Sequence, residues 1–473
     1  MAAARARASS ASHYRFLPDQ LFPPALLPPD VATYEAIVPA RYLRRGFSAV
    51  KVAWLLATMR AYEAELRAVG LRPAPAPAGA PVVVFAHPED PPELGGGARA
   101  RPSPAFLLTD EEAVDAFRAS RRRAGWQTAF YRRMRARTGL LGGADRPEGG
   151  RLTYDVENRA PWDASVPLPR AYDADADADA EDAEDAACWE WAWAEARRRD
   201  PAGRRWVWRD PHPRPFPATR AGWRRRLAAF VAERLSGFGR FQDAIVVGEP
   251  EMFHSVLSPG MNAGLLPPAE VLRAAAAAAA PLAAREGFVR QVLGWREFAR
   301  AAHVADARLA AADYNALGAT ARLPRGRWTR PDTGVPPLDD AIRDVWARGH
   351  LDHIRRLMVV ANAMQLRAIA PREMRAWFLA ATADAYPWVM SFNVVAMGAW
   401  ASAGEGHTTK PYVTGSAYLA RMARLPDGRR AYRRSEPWAR DWDARYRAYL
   451  ARHARLLRRH APRVFLPRSS TRA

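Results

Sequence analysis

Two segments of the chain carry polar side chains on faces that are otherwise apolar. They are Phe253–Leu272 and Glu286–His303, and their polar side chains are those of His254, Ser255, Ser258, Asn262, Arg290, Gln291, Arg296 and Glu297. A buried helix face with so many donors and acceptors must satisfy them with a partner. A large polar ligand inside a helical bundle is one such partner. The alternative is two amphipathic helices whose polar sides face solvent.

A third segment, Leu338–Gly398, repeats this combination. His353, Arg356 and Val360 recur at spacings of three and four, which places them on one helical face. A lone histidine on an apolar helix is usually structural, so the spacing alone leaves its role open. The segment HTTKPYV, which ends at Val413, adds Tyr412. Its ordinary interpretation is a tyrosine packed in a helical lid.

These segments need a large helical domain to position them, and the chain is long enough for one. Its 473 residues are 49% hydrophobic, as in globular proteins, and no apolar run reaches the length of a membrane span. The formal net charge is +21, which favours a polyanionic partner such as nucleic acid. However, Lys51 and Lys410 are the only lysines, so coding bias towards arginine explains part of this charge.

The sequence pattern of the first half predicts an α/β domain. Strands are predicted at Tyr14–Leu17, Thr33–Val38, Pro81–Ala86 and Ala105–Thr109, and a long helix at Ala49–Gly70. Strands that alternate with helices indicate a parallel, doubly wound sheet. We therefore predict a disordered tail over residues 1–13, with a transit peptide as the alternative, and an α/β domain over residues 14–145.

A change in composition marks the middle of the chain. We predict an interdomain connection over residues 146–218, in which the acidic, low-complexity run Ala171–Ala187 forms an exposed insertion. Helical patterns follow, and they predict an all-α domain over residues 219–473. The single cysteine, Cys188, excludes an intrachain disulfide and a cluster of thiolate ligands.

The sequences of five motifs resemble those of the photolyase and cryptochrome superfamily. The strings are PEGGRLTYDVENR, HSVLSPGMNAGLL, EGFVRQVLGWREF, DAYPWV and KPYVTGSAYLARM. They are most similar to the bacterial branch of (6-4) photolyases and related cryptochromes, and the similarity runs from Tyr14 to about Val464. It implies an α/β antenna domain, a helical FAD-binding domain and a lumazine-type antenna chromophore.

The resemblance also implies roles for individual residues. Those matching flavin or lesion contacts are Phe241, Gln242, His254, Ser255, Leu257, Ser258, Asn262, Arg290, Trp295, Glu297, Arg356, Met358, Asn362, Asp384 and Asn393. His353 matches the proton donor for (6-4) repair, and Tyr412 a tyrosine over the lesion. Trp377 and Trp328 match an electron relay, although 17 tryptophans make chance matches easy.

Three departures separate the chain from this branch. The positions of the four cluster cysteines fall near Pro336 or Pro337 and at Pro426, Arg429 and Glu436, so we expect no iron–sulfur cluster and no other metal. Where the branch has two consecutive histidines, this chain has Asp352 and His353. Where the branch has a tyrosine in the electron relay, this chain has Phe378.

Two functions stay open on the sequence. One is a monomeric, FAD-dependent DNA photolyase that repairs UV-damaged DNA by light-driven electron transfer, with (6-4) photoproducts favoured over cyclobutane dimers. The other is a non-repairing flavoprotein photoreceptor or a degenerate DNA-binding relative. Membrane association is not expected, and the compartment would be the cytoplasm in a prokaryote, or the nucleus or an organelle otherwise.

Overall fold

The computed structural model describes residues 11–89, 91–95, 99–121, 126–170, 180–210, 212–324, 327–403 and 407–462. Within these residues the first half contains a parallel sheet of five strands in the order β3-β2-β1-β4-β5. The strands are β1 Ser12–Phe16, β2 Val31–Ala36, β3 Arg72–Pro73, β4 Val82–Phe85 and β5 Arg99–Arg101. The prediction of a parallel, doubly wound sheet is confirmed.

One predicted strand is wrong. Residues 105–109 form turns and irregular backbone, and the edge strand is β5 instead. The reason is that this segment bonds to side chains of the second half. The carbonyl of Ala105 accepts from Arg296 at 2.6 Å, and the amide of Leu107 donates to Glu297 at 3.2 Å. Strand β1 begins at Ser12, two residues before the predicted start at Tyr14. The hydroxyl and the amide of Ser12 both bond to Asp30.

The helices of the first half follow the sequence signals closely. They are Ala49–Ala68, Asp110–Arg121 and Trp126–Thr138. At the start of the second helix the amide of Glu112 donates to the Thr109 hydroxyl, and the amide of Thr109 donates to the Glu112 carboxylate. This reciprocal capping box is what a threonine followed three residues later by a glutamate predicts.

The acidic run is only partly as predicted. Residues 171–179 lie outside the described residues, but the rest of the run belongs to the helix Ala180–Arg199. Asp185 is buried, and one carboxylate oxygen accepts from the amides of Ala218 and Thr219 at 2.7 and 2.9 Å. The expectation of an exposed insertion is therefore wrong for this part, because Asp185 anchors the start of the helical domain.

The second half is a helical domain, as predicted. Its α-helices over the described residues are Arg220–Ala229, Leu235–Phe241, Ser258–Ala263, Pro268–Ala277, Leu282–Val289, Glu297–Ala305, Ala307–Ala310, Pro336–Arg348, Asn362–Leu366, Pro371–Ala381, Pro387–Met390, Ser416–Met422, Pro437–Arg452 and Ala454–His460. One short parallel pair of strands, β6 Ile245–Val246 and β7 Ala423–Arg424, joins two loops. None of the helices that the structure describes has both the length and the apolar character needed to cross a bilayer.

Several helices of this domain contain π-helical turns. These are Phe230–Arg234, Arg290–Arg296, Arg355–Ala361 and Ser391–Gly398. Such turns are rare and are frequently found at functional sites. The last three carry predicted site residues, so the irregular backbone and the predicted site lie in the same part of the fold.

Candidate functional site

An ion pair between the partly exposed Arg356 and the buried Asp384 lies within the third predicted segment, and Ser258 and Asn262 of the first segment bond to Asp384. The two guanidinium nitrogens lie 2.9 and 3.0 Å from the two carboxylate oxygens. The Ser258 hydroxyl donates to the same carboxylate at 2.6 Å, and the amide group of Asn262 donates to the Asp384 carbonyl at 2.9 Å. Ser258, Asn262, Arg356 and Asp384 are called the inner cluster below. It brings together residues that the sequence separates by up to 126 positions.

The charge of the inner cluster is fixed at neutral pH. Burial alone would raise the pKa of Asp384, but Arg356, His350 and the hydrogen bond from Ser258 lower it to about 2. Opposite charges and hydrogen bonds to a carboxylate both favour its ionised form. The inner cluster therefore presents a carboxylate and a guanidinium that are held in place by each other.

Lys51 is a neighbour of this cluster that sequence reasoning missed. Its ammonium group, on the helix Ala49–Ala68, donates to the carbonyls of Leu379 and Ala385 at 2.7 and 2.9 Å. Burial lowers the pKa of Lys51 to about 7, while the charge of Asp384 opposes this effect. The only feature of the sequence that set Lys51 apart is that lysine occurs just twice in the chain. Lys51 ties the α/β domain to the segment that carries Asp384.

A second group of polar residues includes the exposed His353, one turn before Arg356 in the same helical segment; the exposed region around His353 is called the mouth of the site below. His353 has 45% of its side chain exposed, and its Nε2 lies 3.5 Å from the Oδ1 of Asp243. Burial raises the pKa of Tyr412, the charge of Arg159 opposes this, and Asp155 and Asp243 add to it. Tyr412 thus lies within electrostatic range of Asp243. Burial also raises the pKa of Tyr418, and Asp243 contributes. We call Asp243, His353, Tyr412 and Tyr418 the rim cluster.

Asp243 was also missed from the sequence, although it follows the predicted contact Gln242 directly. The two residues point to different partners. Gln242 is buried, its Oε1 accepts from Gln291 at 3.4 Å, and its backbone carbonyl lies 2.9 Å from His254 Nε2. Because neighbouring side chains here diverge, a motif match could identify one and not the other.

His254 is held on both sides by the backbone. Its Nδ1 lies 3.1 Å from the carbonyl of Glu251, and its Nε2 faces Gln242. Among the described residues, His254, Asp352 and His353 bring three possible metal ligands within 4.8 Å of one another. Whichever ring nitrogen carries the proton can donate it to a backbone carbonyl, so His254 can fix this loop.

Asp352 explains the departure from the paired histidines. It precedes the helical segment that begins at His353, and its carboxylate accepts from the Arg355 amide at 2.9 Å. The Arg355 side chain pairs with both Asp352 and Asp344. Aspartate is a preferred N-cap residue. Asp352 therefore serves the helix start, and only His353 faces the mouth of the site.

Two predicted contacts lie apart from the inner cluster. Arg290 pairs with Glu286 at 3.1 Å and with Asp155 at 3.0 Å, which places it near the mouth. Glu297 is buried and accepts the Leu107 amide from the α/β half. Burial raises its pKa, and Arg296 and Arg300 oppose this. Glu297 thus contributes to contact between the two halves of the chain.

The remaining predicted contacts lie in the helical half of the chain. Asn362 is fully buried and donates to Met358 and Thr414, but among the residues that the structure describes its Oδ1 has no hydrogen-bond partner. An unpaired buried acceptor is costly, and a ligand donor would relieve it. The apolar contacts Phe241, Leu257 and Met358 are buried, whereas Ser255, Trp295 and Asn393 are partly exposed.

The predicted relay tryptophans are adjacent. The ring centroids of Trp328 and Trp377 are 6.5 Å apart, and Trp377 donates its indole N–H to the Trp328 carbonyl at 3.0 Å. Trp346 donates to the same carbonyl at 2.8 Å and lies 6.1 Å from Trp377. Phe378 packs on Trp377 at 5.0 Å. Trp346 is therefore a third tryptophan in contact with the two predicted relay residues.

A cavity of about 940 Å³ lies away from all of these residues. It opens between the α/β half and the helical half, and it is lined by residues that include His87 and Glu89 after β4, Arg118, His303 and Arg375. Ligands of open parallel sheets bind at the carboxyl ends of strands. The cavity is thus a second candidate ligand site, separate from the inner cluster. The inner cluster is identified as a candidate site by its ionised, hydrogen-bonded side chains and not by a cavity.

Comparison with known proteins agrees with this architecture. Residues 93–186 match the family described as deoxyribodipyrimidine photo-lyase-related protein. A (6-4) photolyase of Agrobacterium fabrum is 33% identical over 301 residues, which are 62% of this chain and 56% of that protein. The chain thus spans little more than half of that relative. An uncharacterized protein of Acanthamoeba polyphaga mimivirus is 35% identical over 89 residues, which are 19% of this chain and 66% of that protein.

A solved structure shows the same fold. The crystal structure of a bacterial class III photolyase from Agrobacterium tumefaciens aligns with a TM-score of 0.51 and 18% identity, over 97% of this chain and 90% of that chain. Over the matched segments the chain is similar to proteins described as photolyases and photolyase-related proteins.

Proposed function

We propose that the protein is a FAD-dependent, light-driven lyase for UV-damaged DNA and that (6-4) photoproducts are its lesion. The observation that carries this proposal is the buried, ionised Asp384 of the inner cluster, paired with Arg356, together with the exposed His353 one turn before Arg356 in the same helical segment. The similarity to a (6-4) photolyase supports it.

The residues present fit a flavin. Ser258, Arg356 and Asp384 supply donors and an acceptor at fixed positions, and Asn362 has an unpaired buried acceptor. Trp295 adds an apolar, partly exposed surface. When bound and reduced, FAD would supply the light-activated electron, which is chemistry of the cofactor rather than of the protein.

The rim cluster would handle the lesion. A damaged base pair is extruded more easily than a sound one, because its stacking and pairing are already weakened. His353 is the candidate proton donor, because its imidazole is exposed and Asp243 can orient it through Nε2. Tyr412 would pack against the extruded bases, and the net charge of +21 favours the phosphate backbone.

The test uses the purified protein and synthetic oligonucleotides. We expect a yellow protein that releases flavin on denaturation and restores thymines in a (6-4) oligonucleotide under blue light. Chromatography of the digested oligonucleotide measures repair, and a cyclobutane-dimer oligonucleotide is the matched substrate. A colourless protein without flavin would reject the proposal entirely.

A second candidate is a photoreceptor that binds flavin without repair. The observation that favours it is Asp352, which occupies the position of the missing histidine and caps a helix. A flavin-containing protein that repairs neither lesion under light would support this function.

We further propose that an antenna chromophore of the lumazine type binds in the 940 Å³ cavity. His87 at its edge bonds to Asp19 at 2.9 Å, and Arg118 and Arg375 supply cationic donors. Extraction of a second pigment besides flavin, lost on replacement of Arg118 by glutamate, would support this assignment. Retention of that pigment by R118E would contradict it.

A further inference from the structure

One apolar side chain stands out on the surface near the rim cluster. Val156 is 83% exposed, compared with 57% for Val69, 40% for Leu26 and 37% for Trp191. A single exposed apolar residue is ordinary on its own. Its surroundings decide whether it has a function.

The backbone beneath Val156 is firmly anchored. Asp155–Glu157 is a 3₁₀ turn, preceded by Tyr154, whose amide donates to the buried Glu286 carboxylate at 2.9 Å. After the turn, Asn158 is buried and donates to the Ala283 carbonyl at 3.1 Å. Both ends are therefore fixed to the helix Leu282–Val289, and the valine projects from a stiff base.

Guanidinium groups surround this tip. Arg151 pairs with Glu157, and Arg159 pairs with Asp155, yet both arginines keep more than half of their side chains exposed. Each guanidinium has five N–H donors and uses only some of them in one ion pair. Arg240 is also exposed, and its carbonyl accepts from the Ala160 amide at 3.0 Å. Phosphate groups on either side of the tip would find donors.

The turn also lies beside the mouth of the proposed lesion site. Asp155 and Arg159 both act electrostatically on Tyr412, and Arg159 acts on Tyr418. Proteins that kink DNA insert apolar side chains between base steps, and the gap in the stack is largest where bases have been extruded. A rigid, exposed valine in a turn whose flanking Asp155 and Glu157 are paired with exposed arginines matches this use.

We propose that Val156 is a wedge that enters the base stack of duplex DNA where the damaged bases leave it. This inference rests on the proposed function, since it requires a lesion to be extruded into the site. The arginines hold the backbone on each side, and Val156 replaces stacking that the flipped bases have lost. No catalytic step depends on it, so its effect belongs to binding.

The test is a binding measurement in the dark. A duplex carries one (6-4) photoproduct, and 2-aminopurine next to it in the opposite strand reports unstacking. We expect Val156→Ser to bind this duplex about tenfold more weakly, or ~1.4 kcal/mol, with a reduced fluorescence rise. Binding to a single-stranded lesion oligonucleotide should stay unchanged, because no stack has to be opened.

Val69→Ser is the matched control, because it alters an exposed valine at the end of Ala49–Ala68, and it should behave as wild type. Val156→Leu should keep the fluorescence rise. Equal affinity and fluorescence for V156S and wild type would overturn the wedge alone. Absence of any lesion-dependent signal in wild type would overturn the proposed function as well.

Discussion

The inner cluster and the rim cluster use similar residue types in opposite ways. In the inner cluster, Asp384 is 4% exposed, and its carboxylate is bonded to Arg356 and Ser258. In the rim cluster, the His353 side chain is 45% exposed, and its Nε2 lies 3.5 Å from the Asp243 carboxylate. Preorganised, mutually bonded groups suit a resident ligand, whereas loosely held groups suit a substrate that arrives and leaves. The exposure of the titratable side chain, low for Asp384 and high for His353, thus separates a cofactor-type site from a substrate-type site.

The strongest way to break the inner cluster is Asp384→Ala. It leaves the guanidinium of Arg356 without its carboxylate, and removing one partner of a buried pair costs about 3 kcal/mol. We expect a lower midpoint in chemical denaturation and a protein purified without flavin. Asp384→Asn is the isosteric control, and it should lose less stability. Wild-type flavin content in D384A would show that the inner cluster does not hold the cofactor.

The matching change at the rim is His353→Ala. The side chain is exposed, so the free energy of unfolding should change by less than ~0.5 kcal/mol. Loss of a general acid should lower the rate of (6-4) repair by about 100-fold or more, with flavin retained. Repair is measured by chromatography of the digested oligonucleotide. Asp243→Asn keeps the size of the neighbouring side chain and should lower the rate less. Undiminished repair by H353A would exclude His353 as the proton donor.

Acid titration sharpens the comparison without removing either cluster. The pKa of Asp384 in the folded protein is about 2, compared with its ordinary 3.8. A depressed pKa gives stability that is fully present above the ordinary value and is lost as the pH falls through the folded value. We expect about 2 kcal/mol of stability from this group to disappear between pH 4 and pH 2. Denaturant unfolding of wild type and D384N across this range measures it. The same acid slope in both proteins would contradict the assignment.

The sequence predicted local features of the fold well. The helix predicted at Ala49–Gly70 is present at Ala49–Ala68, because its signals lie in residues that are near each other in the chain. Residues 105–109 were assigned wrongly because their backbone groups bond to Arg296 and Glu297, about 190 residues away. Local propensity contains no information on such partners.

The candidate site shows the same limit. The residues of the inner cluster were all named in advance, because the motifs of the resemblance contain them. Asp243 and Lys51 were not, since their relevance lies in contacts to His353 and to the backbone around Asp384 across 110 and 334 positions. Ion pairs and hydrogen bonds across such separations depend on the tertiary fold, so the motifs could not reveal them.

The smallest expected difference between the two clusters concerns single hydroxyl groups. Ser258→Ala removes a 2.6 Å hydrogen bond to a buried, ionised carboxylate, so we expect a loss of about 1–2 kcal/mol in the free energy of unfolding. The pKa of Asp384 should rise at the same time, because that bond favours the charged form. Tyr418→Phe removes a hydroxyl from the rim cluster and should change stability by less than ~0.5 kcal/mol. Denaturant unfolding at pH 7 compares the two variants, and D384N/S258A separates the bond from the cavity that the substitution creates. Equal losses in S258A and Y418F would show that burial does not distinguish the inner cluster from the rim cluster.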